Sequence, residues 1–328
     1  MSVTAAAPVL LALLGLILLV SGAELLVRGG VQLAARLGVP PIIIGLTIVA
    51  VGTSTPELAV GVSAALQGSG SLAVGNIAGT NVVNLLLILG LSALIRPLAL
   101  ELQTLRHDLP VMAAAAVALL LLAWDGTISR AEGSVMVLAG LAYTGAVVFW
   151  ARRESRAVKA DFAREYEAPP RWRISRETAW SAASLVGGIA TVVVGADWLV
   201  DGAGEVARRL GVSDTVIGLT IVALGTSAPE LVTTIVSTLR QARDIAIGNL
   251  LGSSVYNILI ILGVTAIVPP AGLEIDPALV RIDIPVMLAA TLACIPIFLS
   301  GRRVSRVEGG ILVAAYVAYI SYILVART

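Results

Sequence analysis

Hydrophobic and polar residues do not alternate along this chain; they come in blocks. Stretches such as LLALLGLILLVSG, VMAAAAVALLLLAW and LAATLACIPIFL carry no charge, and short clusters of Arg, Asp, Glu, Pro and Gly separate them. Blocks of about twenty apolar residues are long enough to cross a bilayer as helices. Backbone inside a membrane must satisfy its own hydrogen bonds, which leaves helices or a closed barrel. Continuous apolar runs lack the period-two alternation of a barrel strand. The pattern predicts ten membrane helices, centred near Leu18, Gly52, Leu85, Val117, Tyr143, Val192, Gly225, Leu259, Leu288 and Val317. One polar connection, RRESRAVKADFAREYEAPPRWRISRE from Arg152 to Glu177, separates five of these from the other five.

The two sets of five are copies. GLTIVAVGTSTPEL from Gly45 recurs as GLTIVALGTSAPEL from Gly218, twelve of fourteen positions being the same. The offset of 173 that carries Glu57 to Glu230 also carries Asn84 to Asn257 and Glu24 to Asp197. LAVGNIAGTNVVNLLLILG from Leu72 aligns in the same way with IAIGNLLGSSVYNILIILG from Ile245. With an odd number of helices per copy, the second copy enters the membrane from the opposite side. The expected fold is an all-α polytopic membrane protein of ten transmembrane helices in two inverted five-helix repeats, with broken helices at the midplane. Residues 1–151 form the first repeat, 152–177 a cytoplasmic linker and 178–328 the second repeat.

Composition agrees, with 58% hydrophobic and 13% charged residues, about half the charge of ordinary soluble domains. The first apolar block has no Lys or Arg before it and does not read as a cleavable signal peptide. The single cysteine, Cys294, excludes an intrachain disulfide, and a net charge of +1 implies no nucleic-acid partner. Alternating the loops with both termini outside leaves Arg130, Arg208, Arg209, Arg281 and Arg327 on the outer side, and the other 17 of the 22 Lys and Arg inside. The positive-inside rule therefore puts both termini outside and the central linker in the cytoplasm. Five tryptophans, Trp124, Trp150, Trp172, Trp180 and Trp198, fall mostly near segment ends and read as interfacial anchors.

Candidate chemistry centres on Glu57 and Glu230. An ionised carboxylate in the bilayer core costs at least about 2.5–3.5 kcal/mol, so it must face protein, water or a cation. Pro56 and Pro229 lack an N–H, which is expected to free the carbonyls of Gly52 and Gly225. Hydroxyls flank each break, and no Lys or Arg lies in either segment to pair with the acid. Broken helices at matching places in two inverted halves point to a transport site. In the third helix of each half, Asn76, Thr80 and Asn84, like Asn249, Ser253 and Asn257, lie at i, i+4 and i+8 on one stripe. An all-oxygen set without His, Cys or Met suits hard cations, Ca²⁺ and Na⁺. Two carboxylates would be neutralised by one Ca²⁺, and a neutral occupied site crosses a low-dielectric barrier more cheaply than a charged one.

Blander readings compete at some positions. Ser, Thr and Asn often only join membrane helices, and Gly75 with Gly79 and Gly248 with Gly252 make GxxxG pairs, so Asn76 and Asn249 are divided evenly between packing and function. Glu24, with Arg28 four residues on, reads as structural, and Asp197 is taken with it. An intramembrane hydrolase using Ser54 or Ser227 would lack an in-membrane base. A passive cation channel also fits, and counterflow assays would separate it from an antiporter.

GTSTPE and GTSAPE, each followed by GN-x-x-G-[TS]-x-x-x-N, closely resemble the two α-repeats of the Ca²⁺/cation antiporter superfamily, most of all its prokaryotic sodium/calcium exchangers. The resemblance covers essentially the whole chain and implies ten helices in two inverted five-helix repeats, with the first and sixth helices sliding across a fixed core. It implies a ligand set of the Ala50 carbonyl, Thr53, Ser54, Glu57, Thr80 and Asn84, and of the Ala223 carbonyl, Thr226, Ser227, Glu230, Ser253 and Asn257. Thr80 stands where Ser is commoner, and Asn257 where some relatives, including potassium cotransporters, carry Asp. The expected function is electrogenic, K⁺-independent exchange of Na⁺ for Ca²⁺ by alternating access in a prokaryotic inner membrane. No enzymatic activity and no cofactor are expected; Ca²⁺ and Na⁺ as substrates and the lipid bilayer are the expected partners. The alternative is a proton/calcium exchanger of the same superfamily, although those relatives typically carry GN-x-x-E, not GTS-x-P-E, around the acid.

Overall fold

The computed structural model describes residues 3–100, 106–153, 176–211 and 223–327. Most of the linker, residues 154–175, and residues 212–222, which include the start of the second motif, lie outside the described residues. The helices in chain order are α1 (Val3–Leu37), α2 (Pro41–Thr53), α3 (Thr55–Leu66), α4 (Gly70–Ile95), α5 (Asp108–Leu122), α6 (Arg130–Arg153) and α7 (Arg176–Arg209). They continue with α8 (Ala223–Thr226), α9 (Ala228–Leu239), α10 (Arg243–Ile267), α11 (Leu279–Leu299) and α12 (Arg306–Arg327). Among the described residues, eight helices are long and apolar enough to span a membrane, and α2 with α3, bent by 41° at their break, count as a ninth if the pair is one span. The segment around Gly225 is described from Ala223 onward and is likewise in two pieces, α8 and α9.

Packing divides the chain into two compact units, and each takes residues from both repeats. The first contains Met1–Pro56 and Val147–Asn249, the second Glu57–Ala146 and Leu250–Thr328. The division falls inside α3, α6 and α10.

The first unit is built on α1 and α7, which run antiparallel in close contact. Gly15, Gly22 and Gly29 recur every seven residues on α1, and the same offset of 173 places Gly188, Gly195 and Gly202 on α7. A Cβ added at any of the six would sit closer than 3.0 Å to backbone of the other helix, at Leu199, Val192 and Leu185 on one side and Leu26, Leu19 and Ala12 on the other. Heptad spacing keeps one stripe facing the partner, and the missing side chains let the two backbones touch. Leu19, Leu26, Leu185, Val192, Ala228 and Val236 close an apolar core around this seam and bring in α9.

In the second unit the third helix of each half packs on the fifth helix of the other. Gly90 of α4 meets Gly309 of α12, and Gly263 of α10 meets Gly133 of α6, each glycine lying against the other's carbonyl oxygen. Both fifth helices begin with the same capping box. The Ser129 amide donates to Glu132 at 2.8 Å and the Ser305 amide to Glu308 at 2.7 Å, while each glutamate amide donates back to the serine hydroxyl. Tyr143 donates to the buried Asp108 at 3.0 Å, and Tyr319 to Asp283 at 2.9 Å.

Four two-residue strands, not anticipated from the hydrophobic pattern, tie the same helix pairs together at their ends. β1 (Leu98–Ala99) pairs with β4 (Arg303–Val304), and β2 (Thr127–Ile128) with β3 (Leu273–Glu274), both antiparallel. Trp124 and Trp180 are 72% and 73% exposed, as interfacial anchors should be.

Candidate functional site

In the first unit the two repeated motifs meet. The helix breaks at Ser54, whose φ of −83° and ψ of 12° end the regular turn before Pro56. Ser227 does the same before Pro229, with φ −87° and ψ 3°. Glu230 sits in the first turn of α9 and is 0% exposed. Its Oε1 accepts a hydrogen bond of 3.0 Å from the Ser54 hydroxyl, so a serine of the first motif holds the acid of the second. The buried Thr53 hydroxyl donates to Asn249 Oδ1 at 3.1 Å, and Asn249 Nδ2 donates to Thr234 at 3.2 Å. Asn249 thus links the first motif to α9, and its two amide groups are both used.

Not every carbonyl next to the prolines is free. Thr55 donates its hydroxyl to the Gly52 carbonyl at 2.8 Å, replacing the N–H that Pro56 lacks. The expectation of a freed carbonyl at Gly52 is therefore corrected by a threonine that reaches back one turn. The second motif has Ala228 at that position and no such hydroxyl. The Ala50 carbonyl accepts the Ser54 amide at 3.2 Å. Ala223 opens α8, and Thr226 closes it, half-buried.

Polar atoms are left over. Oε2 of Glu230 and Oγ of Ser227 are buried and have no hydrogen-bond partner among the described residues. No Lys or Arg pairs with Glu230 there. Leaving a buried polar atom unsatisfied costs about 1–3 kcal/mol, more when it is charged.

The second unit holds the rest of the set. Glu57 is in the first turn of α3 and 0% exposed. Thr80 and Asn84 lie on α4, and Ser253 and Asn257 on α10, all buried. Both amide atoms of Asn84, both of Asn257 and the Ser253 hydroxyl lack a partner among the described residues. Each asparagine sits where its helix widens into a π turn, Val83–Ile88 and Asn257–Leu262. Such widenings are frequent at functional sites. The Asn76 amide nitrogen also has no partner among the described residues.

Glu24 and Asp197 stand apart. Glu24 is gripped by Arg28 at 2.5 Å and by Arg240, at the end of α9, at 2.7 Å. Asp197 is exposed on α7 with Asp201 one turn on. Among the described residues no three of His, Cys, Asp and Glu come together. The donors gathered around the motifs are hydroxyl, amide, carbonyl and carboxylate oxygens, which is chemistry for hard cations.

Sequence reasoning missed a run of hydroxyls on α9. Thr233, Thr234, Ser237 and Thr238 are all buried. The signal for them was the 173-residue alignment itself, which sets these four against Val60, Gly61, Ala64 and Ala65.

Comparison with known proteins agrees with this chemistry. The family model described as sodium/calcium exchanger protein matches residues 7–149 and 180–325. The sodium/calcium exchanger MaX1 of Methanosarcina acetivorans is 33% identical over 340 residues, covering 95% of this chain and 97% of that protein. Inner membrane protein YrbG of Escherichia coli K12 is 37% identical over 284 residues, covering 86% of each. Among solved structures, the sodium-calcium exchanger NCX_Mj soaked with 2.5 mM Na⁺ and 0.1 mM Ca²⁺ superposes with a TM-score of 0.82 at 28% identity, covering 96% of this chain and 98% of that one.

Proposed function

The chain belongs to the sodium/calcium exchanger family, and from that premise we propose that it exchanges Na⁺ for Ca²⁺ electrogenically and without K⁺. It is a multi-pass membrane antiporter of the exchanger type. The observation that carries the reading is the bond from Ser54 to the wholly buried Glu230, which joins the two inverted motifs around one acid.

The ligands are Ala50, Thr53, Ser54, Glu57, Thr80 and Asn84, with Ala223, Thr226, Ser227, Glu230, Ser253 and Asn257. Glu57 and Glu230 supply a charge of −2 that one Ca²⁺ neutralises, and the neutral form is the one able to cross the barrier. With the carboxylates and the two carbonyls, the eight hydroxyl and amide oxygens exceed what one Ca²⁺ with six to eight ligands needs, and the surplus serves Na⁺. Asn at both 84 and 257 leaves two acids in the set, which supports K⁺ independence. More than two Na⁺ per Ca²⁺ makes the exchange carry net charge. Residues 1–151 and 178–328 act as the inverted repeats, and alternating access is the movement of one part against another around a fixed site. The charge bias supports an orientation with both termini outside and the linker, residues 152–177, in the cytoplasm. The E. coli relative's name supports an inner membrane.

The test is Ca²⁺ uptake into vesicles holding the purified protein under an outward Na⁺ gradient. Uptake that needs Na⁺, is indifferent to K⁺ and quickens when the potential favours net positive charge leaving with Na⁺ is expected. Uptake driven by a pH gradient alone, indifferent to Na⁺, would assign the chain to proton coupling instead.

A further inference from the structure

The helix α9 has two different faces. Ala228 and Val236, with Val232, enter the apolar core of the first unit. On the other side Glu230, Thr233, Thr234 and Ser237 follow at i, i+3, i+4 and i+7, which is one continuous stripe of a helix. All four are 0% exposed. Two of the positions have partners, since Glu230 accepts from Ser54 and Thr234 from Asn249. Thr233 Oγ1 and Ser237 Oγ have no hydrogen-bond partner among the described residues.

Hydroxyls in membrane helices commonly satisfy themselves by donating to a carbonyl one turn back. Thr238 does this, at 2.8 Å to Thr234, and Ser254 and Thr265 do the same on α10. Thr233 and Ser237 do not. Helix-to-helix adhesion, the ordinary use of such residues, would also have given them a partner. Two unsatisfied hydroxyls one turn apart, beginning one turn beyond a buried carboxylate, are suited to an ion. The feature is one-sided, because the repeat equivalents in α3 are Val60 and Ala64, with no oxygen to offer.

We propose that Thr233 and Ser237 form a neutral-oxygen cation station for Na⁺, between Glu230 and the membrane face at which α9 ends. The inference rests on the Na⁺-coupled reading above. At 1.5 Å per residue the two hydroxyls lie about 4.5 and 10.5 Å along the axis from Glu230, spanning roughly a third of the bilayer core. A station without a carboxylate cannot meet the oxygen and charge demand of Ca²⁺. It can replace part of the water around a monovalent ion, and weak successive sites let an ion enter and leave. Sodium arriving from the α9 side, cytoplasmic by the charge bias, then has a stepping stone that sodium arriving from the opposite side lacks.

The experiment compares right-side-out and everted vesicles loaded with Ca²⁺, and measures the Na⁺ concentration that half-maximally drives Ca²⁺ release from each side. For Thr233→Val with Ser237→Ala, that concentration should rise about five-fold or more on the α9 side. It should stay within about two-fold on the other side, and so should the Ca²⁺ requirement. Thr238→Val removes a hydroxyl already donated to its own helix and should shift neither side. Thr233→Val is isosteric and carries the test alone if the double variant does not elute as a single species. An equal shift on both sides, no shift, or a shift in Ca²⁺ requirement instead of Na⁺ overturns the station while leaving the exchanger reading intact. Failure of the unaltered protein to exchange at all overturns the exchanger reading itself.

Discussion

Glu230→Gln separates what the acid does for the ion from what it does for the fold. The substitution is isosteric, and a glutamine Oε1 can still accept the Ser54 hydroxyl now 3.0 Å from the carboxylate. Without ions, the wild-type protein holds a carboxylate that is 0% exposed, and placing such a charge in a bilayer costs at least about 2.5–3.5 kcal/mol. The ion-free variant should therefore be as stable as wild type or more so. With Ca²⁺ the sign reverses. Removing one partner of a buried charge pair typically costs about 3–5 kcal/mol, so Ca²⁺ affinity should fall by two to four powers of ten. At a Ca²⁺ concentration about 100 times the wild-type dissociation constant, binding stabilises wild type by about 2.7 kcal/mol, and the variant by about 0.4 kcal/mol or less. Thermal unfolding of detergent-solubilised protein, followed by the fluorescence of its five tryptophans across a Ca²⁺ titration, reads both effects. Vesicle flux measures the accompanying loss of exchange. Ca²⁺ stabilisation of the variant equal to that of wild type would refute the assignment of Glu230 as an ion ligand. A collapse of the ion-free variant would show that the carboxylate holds the fold instead.

Other expectations follow from single contacts. Gly195→Val puts side-chain atoms where backbone of Leu19 already lies, and overpacking of this kind costs about 1–3 kcal/mol. Gly187→Ala, eight residues earlier on α7 with nothing within 4 Å, should be neutral or slightly stabilising; the two melting curves check the seam. A cysteine at Ser155 in a Cys294→Ser background should react with an impermeant thiol reagent only after the membrane is opened, and labelling in intact cells would reverse the orientation. Glu24→Gln strips a partner from Arg28 and Arg240, and partly exposed pairs are worth about 0–1 kcal/mol. It should lower stability modestly at low salt and leave the Ca²⁺ requirement unchanged, whereas a tenfold change in that requirement would make Glu24 a ligand.

Most of the fold was legible because helices in a bilayer announce themselves by length and apolarity. The repeat was legible because one offset aligns three separate pairs of polar residues. What the sequence hid depends on long-range contact. The strands Leu98–Ala99 and Arg303–Val304 are too short to show alternation, and they pair across more than two hundred residues. The widening of α4 and α10 at Asn84 and Asn257 leaves no mark in the hydrophobic period. Asn249 was evenly divided between packing and function until its bonds to Thr53 and Thr234 were in view. Nothing in the pattern marked Thr55, and only its reach to the Gly52 carbonyl shows that it supplies the donor Pro56 lacks.

The two halves also differ in an ordered way. Twelve of fourteen positions agree across the motifs that hold the acids. At particular positions one turn or more away the agreement ends. Thr233, Thr234, Ser237 and Thr238 face Val60, Gly61, Ala64 and Ala65, while Glu24 and Arg28 correspond to Asp197 and Asp201, and Arg240 to Gln67. A clamped acid in one half is thus a pair of exposed acids in the other. Two identical inverted halves would give the inward-facing and outward-facing forms equal energy, since each form would be the other turned over. Any preference for one facing, or for ions arriving from one side, must then be written at the positions where the halves disagree. Under the proposed exchange the motif positions are free to be the same, because an ion held by them would meet the same oxygens from either direction. The α9 hydroxyls and the Glu24 clamp lie outside that centre, where identity between the halves serves no chemical need and difference can set a direction.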